Sequence, residues 1–152
     1  MKLAEALSQR AQLNIKISQL KSRLKDCIKI QEGDEATETT EQVIEELDTA
    51  LAEFRSLVYR INMTNAVTVL ENGRNITSLL AERDALGIRV KALYDALRKV
   101  TDKEERYTRN EIRYVRTVDV KEFRNIYDES AAQLRQLDLT IQALGFKTDL
   151  VD

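Results

Sequence analysis

The densest group of side chains able to do chemistry is Arg106-Tyr107-Thr108-Arg109-Asn110-Glu111, the start of a stretch reaching Val120 where an otherwise helical pattern stops. Guanidinium forks at Arg106 and Arg109 match the geometry of a phosphate or carboxylate, Tyr107 offers a ring to stack on, and Glu111 supplies a carboxylate. Arg83-Asp84 adds a second charged pair inside an apolar series, and Asn62 and Asn65 add amides within Ile61-Asn62-Met63-Thr64-Asn65. Arg83, Asp84, Arg106, Tyr107, Arg109, Glu111, Asn62 and Asn65 are therefore the candidate binding residues. The ligand they suit is a polar small molecule or a phosphate, with catalysis an option through tyrosine and carboxylate proton transfer. Arg113, Tyr114 and Arg116 extend the same mixture, which is also what a single-stranded nucleic acid would meet. A structural reading competes at each place. The arginines of the loop can pair with the acidic linker Glu32 to Glu41, Arg83 with a carboxylate such as Asp84, and the two asparagines and the Thr64 hydroxyl with backbone groups at a helix end.

Much other chemistry is excluded by composition. The chain has no histidine, which removes histidine-based triads, the usual zinc sets and the Glu-x-x-His ligands of di-iron bundles. It has no glycine-rich phosphate loop and no Cys-x-x-Cys, so no metal or cofactor is expected. Cys27 falls in an apolar series and reads as a small packing residue. A formal charge of −2 gives no overall attraction to nucleic acid or to an acidic membrane surface. No run approaches the ~18 consecutive apolar residues of a spanning helix. Together with one unpaired cysteine and the lack of an apolar leader pattern after Met1, this gives the expectation of a soluble, cytoplasmic protein.

The elements that would position these residues are helices. With no proline, four glycines and a third of its residues charged, the chain of 152 residues reads as all-α and as one domain. Apolar residues recur at steps of three and four in four series. The first is Leu3, Ala6, Leu13, Ile17, Leu20, Leu24 and Cys27, with Arg10 in the gap. The second is Ile44, Leu47, Leu51, Phe54, Val58 and Ile61. The third is Leu79, Arg83, Leu86, Val90, Leu93, Leu97 and Val100. The fourth is Val120, Phe123, Tyr127, Ala131, Leu134, Leu137, Ile141 and Leu144. They predict four long amphipathic helices, at about residues 2–31, 40–64, 77–101 and 120–144, as antiparallel hairpins or a bundle with coiled-coil-like seams. Thr39 with Gln42 and Asp119 with Glu122 are spaced as helix N-terminal caps, Gly33 and Gly145 as helix stops. Gly87 lies mid-helix, tolerable where a neighbouring backbone comes close. The first helix is rich in Lys and Arg and the segment from Glu32 to Glu53 has only acidic charges, so an antiparallel pairing would set them side by side.

Two short β elements are also expected. Asn72-Gly73 between Val67-Thr68-Val69-Leu70-Glu71 and Arg74-Asn75-Ile76 suits a type I′ hairpin, and Ile112 to Val118 alternates like a strand. In an up-down bundle these two lie at opposite ends, about 40 Å apart. Their pairing would require a second chain, which is one reason to expect a homo-oligomer.

The chain also resembles the septicolysin family of small, all-helical bacterial proteins. The resemblance rests on Met1-Lys2-Leu3-Ala4-Glu5-Ala6-Leu7, Ile61-Asn62-x-Thr64-Asn65, Leu79-Leu80-Ala81-Glu82-Arg83-Asp84, Arg106-Tyr107-x-Arg109-x-Glu111-Ile112, Thr117-Val118-Asp119-Val120 and Leu137-Asp138-x-x-Ile141-Gln142. It departs where the family carries an Asn-Trp pair and this chain has Gly145-Phe146. The resemblance implies an all-helical fold, and the family's toxin-like name implies pore formation by amphipathic helices. The leading expectation is a non-enzymatic, self-associating helical protein whose loops form an interaction surface. A ligand site at the loop arginines and a pore-forming protein are the alternatives.

Overall fold

A computed structural model describes residues 1–35, 38–102, 112 and 114–152. The helical periodicity is realised as α1 (Leu3–Cys27), α2 (Thr40–Val67), α3 (Ile76–Thr101) and α4 (Val120–Lys147). The chain divides into two compact units, Met1–Asn75 with Gln142–Asp152, and Ile76–Ile141.

In the first unit α1 and α2 form an antiparallel hairpin. Leu20 on α1 is fully buried against Val43 and Ala50 on α2, with Ile17, Leu24, Cys27 and Leu47 packed around them. The start of α2 is fixed by a capping box. The Thr39 hydroxyl accepts from the Gln42 amide at 3.3 Å, and the Gln42 side chain accepts from the Thr39 amide at 3.1 Å. The helix ends differ from the sequence expectation. α1 stops at Cys27, short of Gln31, and Gly33 turns the chain beyond it with φ of 95°. α4 runs through Gly145 to Lys147, because Gly145 is buried inside the helix and faces Ala4, 3.7 Å from where a Cβ would sit. Phe146, one residue on, is exposed. The tail then runs beside the N-terminus: the Leu3 amide donates to the Thr148 carbonyl and the Leu150 amide to the Met1 carbonyl, both at 2.9 Å.

The α2 seam is displaced by one residue from the expected one. Val43, Ala50, Leu57, Ile61 and Thr64 are buried, whereas Ile44 and Leu51 are 41% and 42% exposed. Both series share Leu47, Phe54 and Ile61. The choice between them falls to side-chain size, since the small Val43 and Ala50 leave room for Leu20 at the hairpin interface.

In the second unit α3 buries Ile76, Leu79 and Leu97, while Leu86, Val90 and Leu93 are half-buried. On α4 the buried seam position is Ser130, not Ala131. Its hydroxyl accepts from Arg89 and donates to the Ile126 carbonyl at 2.8 Å, so the polar group enters the seam satisfied. Tyr94 and Tyr127 pack with ring centroids 6.0 Å apart. The Asp119 carboxylate accepts from the Glu122 amide at 2.9 Å, capping α4. Gly87 has nothing within 4 Å of its Cβ position, so no close backbone approach accounts for it.

The β elements are corrected. Among the described residues there is no strand. Around Asn72-Gly73 there is one isolated bridge, Val69 with Asn75, closed by the Leu70 amide on the Arg74 carbonyl at 2.7 Å. Only Gly73 has positive φ, so the turn is not type I′, which needs two such residues. α2 continues to Val67 and α3 starts at Ile76, so the outer residue of each expected strand belongs to a helix and the ribbon is cut short. From Ile112 to Val118 the described residues are irregular, and Ile112, Tyr114 and Val115 are 93%, 79% and 76% exposed. Without these strands, the pairing argument for a second chain no longer holds.

Candidate functional site

The described residues among those picked out from sequence are divided between the two units. Asn62 is exposed and Asn65 half-buried on α2, in the first unit, while Arg83 and Asp84 lie on α3, in the second. Arg83 donates to Asp84 from Nε at 3.1 Å and from a terminal nitrogen at 2.7 Å, so the seam arginine is paired with its own neighbour. Arg106, Tyr107, Arg109, Glu111 and Arg113 lie outside the described residues. At the end of the same stretch, Arg116 Nε donates to the Val100 carbonyl at 3.1 Å.

In the Asn62–Asn65 segment the residue with structural work is the one between. Thr64 is fully buried; its hydroxyl donates to the Arg60 carbonyl at 2.8 Å and accepts from the Val151 amide at 3.0 Å. Arg60 Nε reaches the Val151 carbonyl at 2.8 Å, and its guanidinium lies 3.4 Å from Asp152. Lys2 pairs with Asp149 at 2.8 Å, and its ammonium holds the Asp149 carboxyl below the usual carboxylate range. The segment lies in the last turns of α2, where the Thr64 carbonyl also accepts from the Thr68 amide at 3.0 Å. It anchors the chain's last residues.

The most elaborate polar cluster centres on Arg23, which the sequence reading passed over as one of many basic residues on α1. Its Nε and a terminal nitrogen contact Glu38 at 2.9 and 2.5 Å, and its two terminal nitrogens contact Glu46 at 2.8 and 3.2 Å. Hydrogen bonds from Arg23 hold both carboxyls below their ordinary range, with direct charge attraction adding to the effect. The same bonds raise the guanidinium further above its ordinary value. Beside them a cavity of about 420 Å³ is lined by Arg23, Asp26, Cys27, Ile30, Asp34, Glu35 and Glu38. Cys27 Sγ lies 3.4 Å from the Leu24 carbonyl and 3.8 Å from the Thr40 hydroxyl. The guanidinium fork is already engaged by two carboxylates, and the remaining charged groups are acidic, so this cavity repels phosphate. Among the described residues no group of three or more Cys, Asp or Glu is placed to hold a metal ion. The cluster ties the α1–α2 turn to α2. One arginine thereby carries the basic-to-acidic pairing expected of the two helices.

The comparisons agree with a helical architecture and add no activity. Residues 10–150 match a family described as a family of unknown function, DUF6847. The chain belongs to this family. A crystal structure of a functionally unknown conserved protein from Corynebacterium diphtheriae is similar at 39% identity, with a TM-score of 0.92 and 99% of each chain covered. Among curated proteins nothing matches. For this DUF6847 member, among the described residues, no helix is long and apolar enough to cross a membrane.

Proposed function

We propose that this DUF6847 member is a self-associating helical protein that acts in the cytoplasm through its assembly rather than through catalysis. The observation that carries the reading is apolar surface left exposed on the helices of each unit. Ile15, Ile44, Leu51 and Tyr59 in one unit and Ile88, Tyr94, Ile126 and Leu139 in the other are each more than 40% exposed. A stable dimer of standard size needs only ~800 Å² from each partner. The test is sedimentation velocity of the full chain from about 1 µM to 1 mM, a span that brackets typical weak and tight self-association. A mass above that of one chain is expected. A monomer across the whole range would refute the reading.

The resemblance to the septicolysin family enters as a second proposal, limited to shared architecture. Pore formation would have to come from amphipathic helices lying at a lipid surface, which also requires association. Dye release from anionic vesicles would support that use of the helices, and no release at micromolar protein would end it.

A further inference from the structure

Resting on the self-association reading, the inference here concerns which face does it. The face is on α2. Two heptad series overlap on this helix, sharing Leu47, Phe54 and Ile61. One, through Val43, Ala50 and Leu57, is buried in the hairpin with α1. The other, through Ile44, Leu51 and Val58, recurs every seven residues and has no helix against it in the chain's own hairpin: Ile44 and Leu51 are 41% and 42% exposed and Val58 is half-buried. At 100° per residue, this second stripe, one residue on, lies about 100° around the helix from the first. That is close to the right angle at which a helix in a four-helix arrangement contacts a second neighbour.

We propose that a second copy of this chain docks on the Ile44–Leu51–Val58 stripe, with the two α2 helices antiparallel about a twofold axis near Leu51. Three features fit this occupant. The stripe is palindromic: residues seven before and seven after Leu51 are both β-branched and apolar, so an antiparallel copy sets Ile44 beside the partner's Val58 and Leu51 beside the partner's Leu51. The flanking charges are complementary under the same operation. Asp48 and Arg55, both exposed on the edge of the stripe, are centred almost on Leu51, so the axis sets Asp48 against the partner's Arg55 and repeats the pair on the other side. A parallel pairing would place Asp48 beside the partner's Asp48 and lose both attractions. Finally, the 28 residues of α2 give a face about 42 Å long. The stripe occupies its middle, and the polar Thr40 and Asn62 bound it at symmetric distances, each eleven residues from Leu51.

The stripe supplies the attraction and the ion pairs select direction, because exposed pairs contribute little affinity but like charges held together oppose docking. Sedimentation equilibrium of the full chain tests the assignment, with helix content followed by circular dichroism. Leu51→Glu is expected to sediment as a monomer at concentrations where the unaltered chain is a dimer, with helix content retained. Because the surface charges should not affect folding, Asp48→Arg is the second variant, expected to weaken the dimer at least about tenfold by setting it against the partner's Arg55. The charge exchange Asp48→Arg with Arg55→Asp is expected to recover affinity to within about threefold, since the attraction is rebuilt with reversed sign. If the unaltered chain self-associates and both Leu51→Glu and Asp48→Arg leave its affinity unchanged, this face is wrong while self-association stands. If Asp48→Arg weakens the dimer but the exchange does not restore it, the antiparallel pairing is wrong. A monomeric unaltered chain removes both proposals.

Discussion

Leu20→Ala measures how much of the first unit's stability rests on one buried side chain. Leu20 is 1% exposed and packs against Val43 and Ala50, both fully buried and small. Neither can extend into the space left by the truncated side chain, so little of the cavity should close. Leucine truncations of this kind cost about 2–5 kcal/mol, and a site lined by small residues belongs in the middle or upper part of that span, about 3–4 kcal/mol. For a chain of 152 residues, each kcal/mol lowers Tm by about 2–4 °C, so a fall of roughly 6–16 °C is expected. The assay is urea and thermal unfolding at matched protein concentrations, because association raises apparent stability by mass action. Leu51→Ala is the comparison: its side chain is 42% exposed, so its effect should shrink on dilution while the Leu20→Ala effect persists. A loss below about 1 kcal/mol at Leu20, under the ordinary cost of such a cavity, would refute the packing described for α1 on α2.

The remaining predictions concern polar contacts and backbone. Thr64→Val keeps the shape but removes the acceptor for the Val151 amide, so a loss of about 1–3 kcal/mol is expected, with faster hydrogen exchange at Val151; an unchanged Val151 exchange rate would show that the tail is held otherwise. Glu38 and Glu46 have lowered folded pKa values, so their stabilisation is fully present above the unfolded glutamate value of about 4.3 and is lost as pH falls through the folded values. The stability difference between the unaltered chain and Arg23→Ala should therefore narrow on acidification, and a pH-independent difference in urea midpoints would contradict the Arg23 clamp. Gly73→Ala should destabilise by about 1–2 kcal/mol, because φ of 77° is strained for an L side chain. Gly87→Ala should stabilise by about 1 kcal/mol, since its Cβ enters open space in a helix interior; calorimetry showing the same sign for both would overturn the distinction.

The polar candidates show the limits of residue type as a guide. Arg83 stood out because a charge interrupted an apolar series, and the structure pairs it with Asp84, one of the carboxylates its position suggested. Arg23 gave no such signal, since it lies among six other basic residues in the first 29 positions. What distinguishes it is the approach of Glu38 and Glu46 from across the hairpin, 15 and 23 residues away. The sequence offers the Thr64 hydroxyl to backbone groups at a helix end, but does not point to the Val151 amide, 87 residues away. The candidate arginines and tyrosine of the Arg106 stretch lie outside the described residues.

The sequence by itself determined that the chain is helical, where the periodic segments run, and that Thr39 and Asp119 cap two of them, because these follow from steric and hydrogen-bonding rules acting within a few residues. It could not choose between the two apolar series on α2, which satisfy the same local rule. Only tertiary structure decided that Val43 and Ala50 face α1 while Ile44 and Leu51 stay accessible. Tertiary structure also carried α4 past Gly145, where contact with Ala4 makes a small residue useful inside a helix rather than at its end. Local periodicity specifies which faces are apolar; which of them is buried depends on the size and approach of side chains distant in sequence.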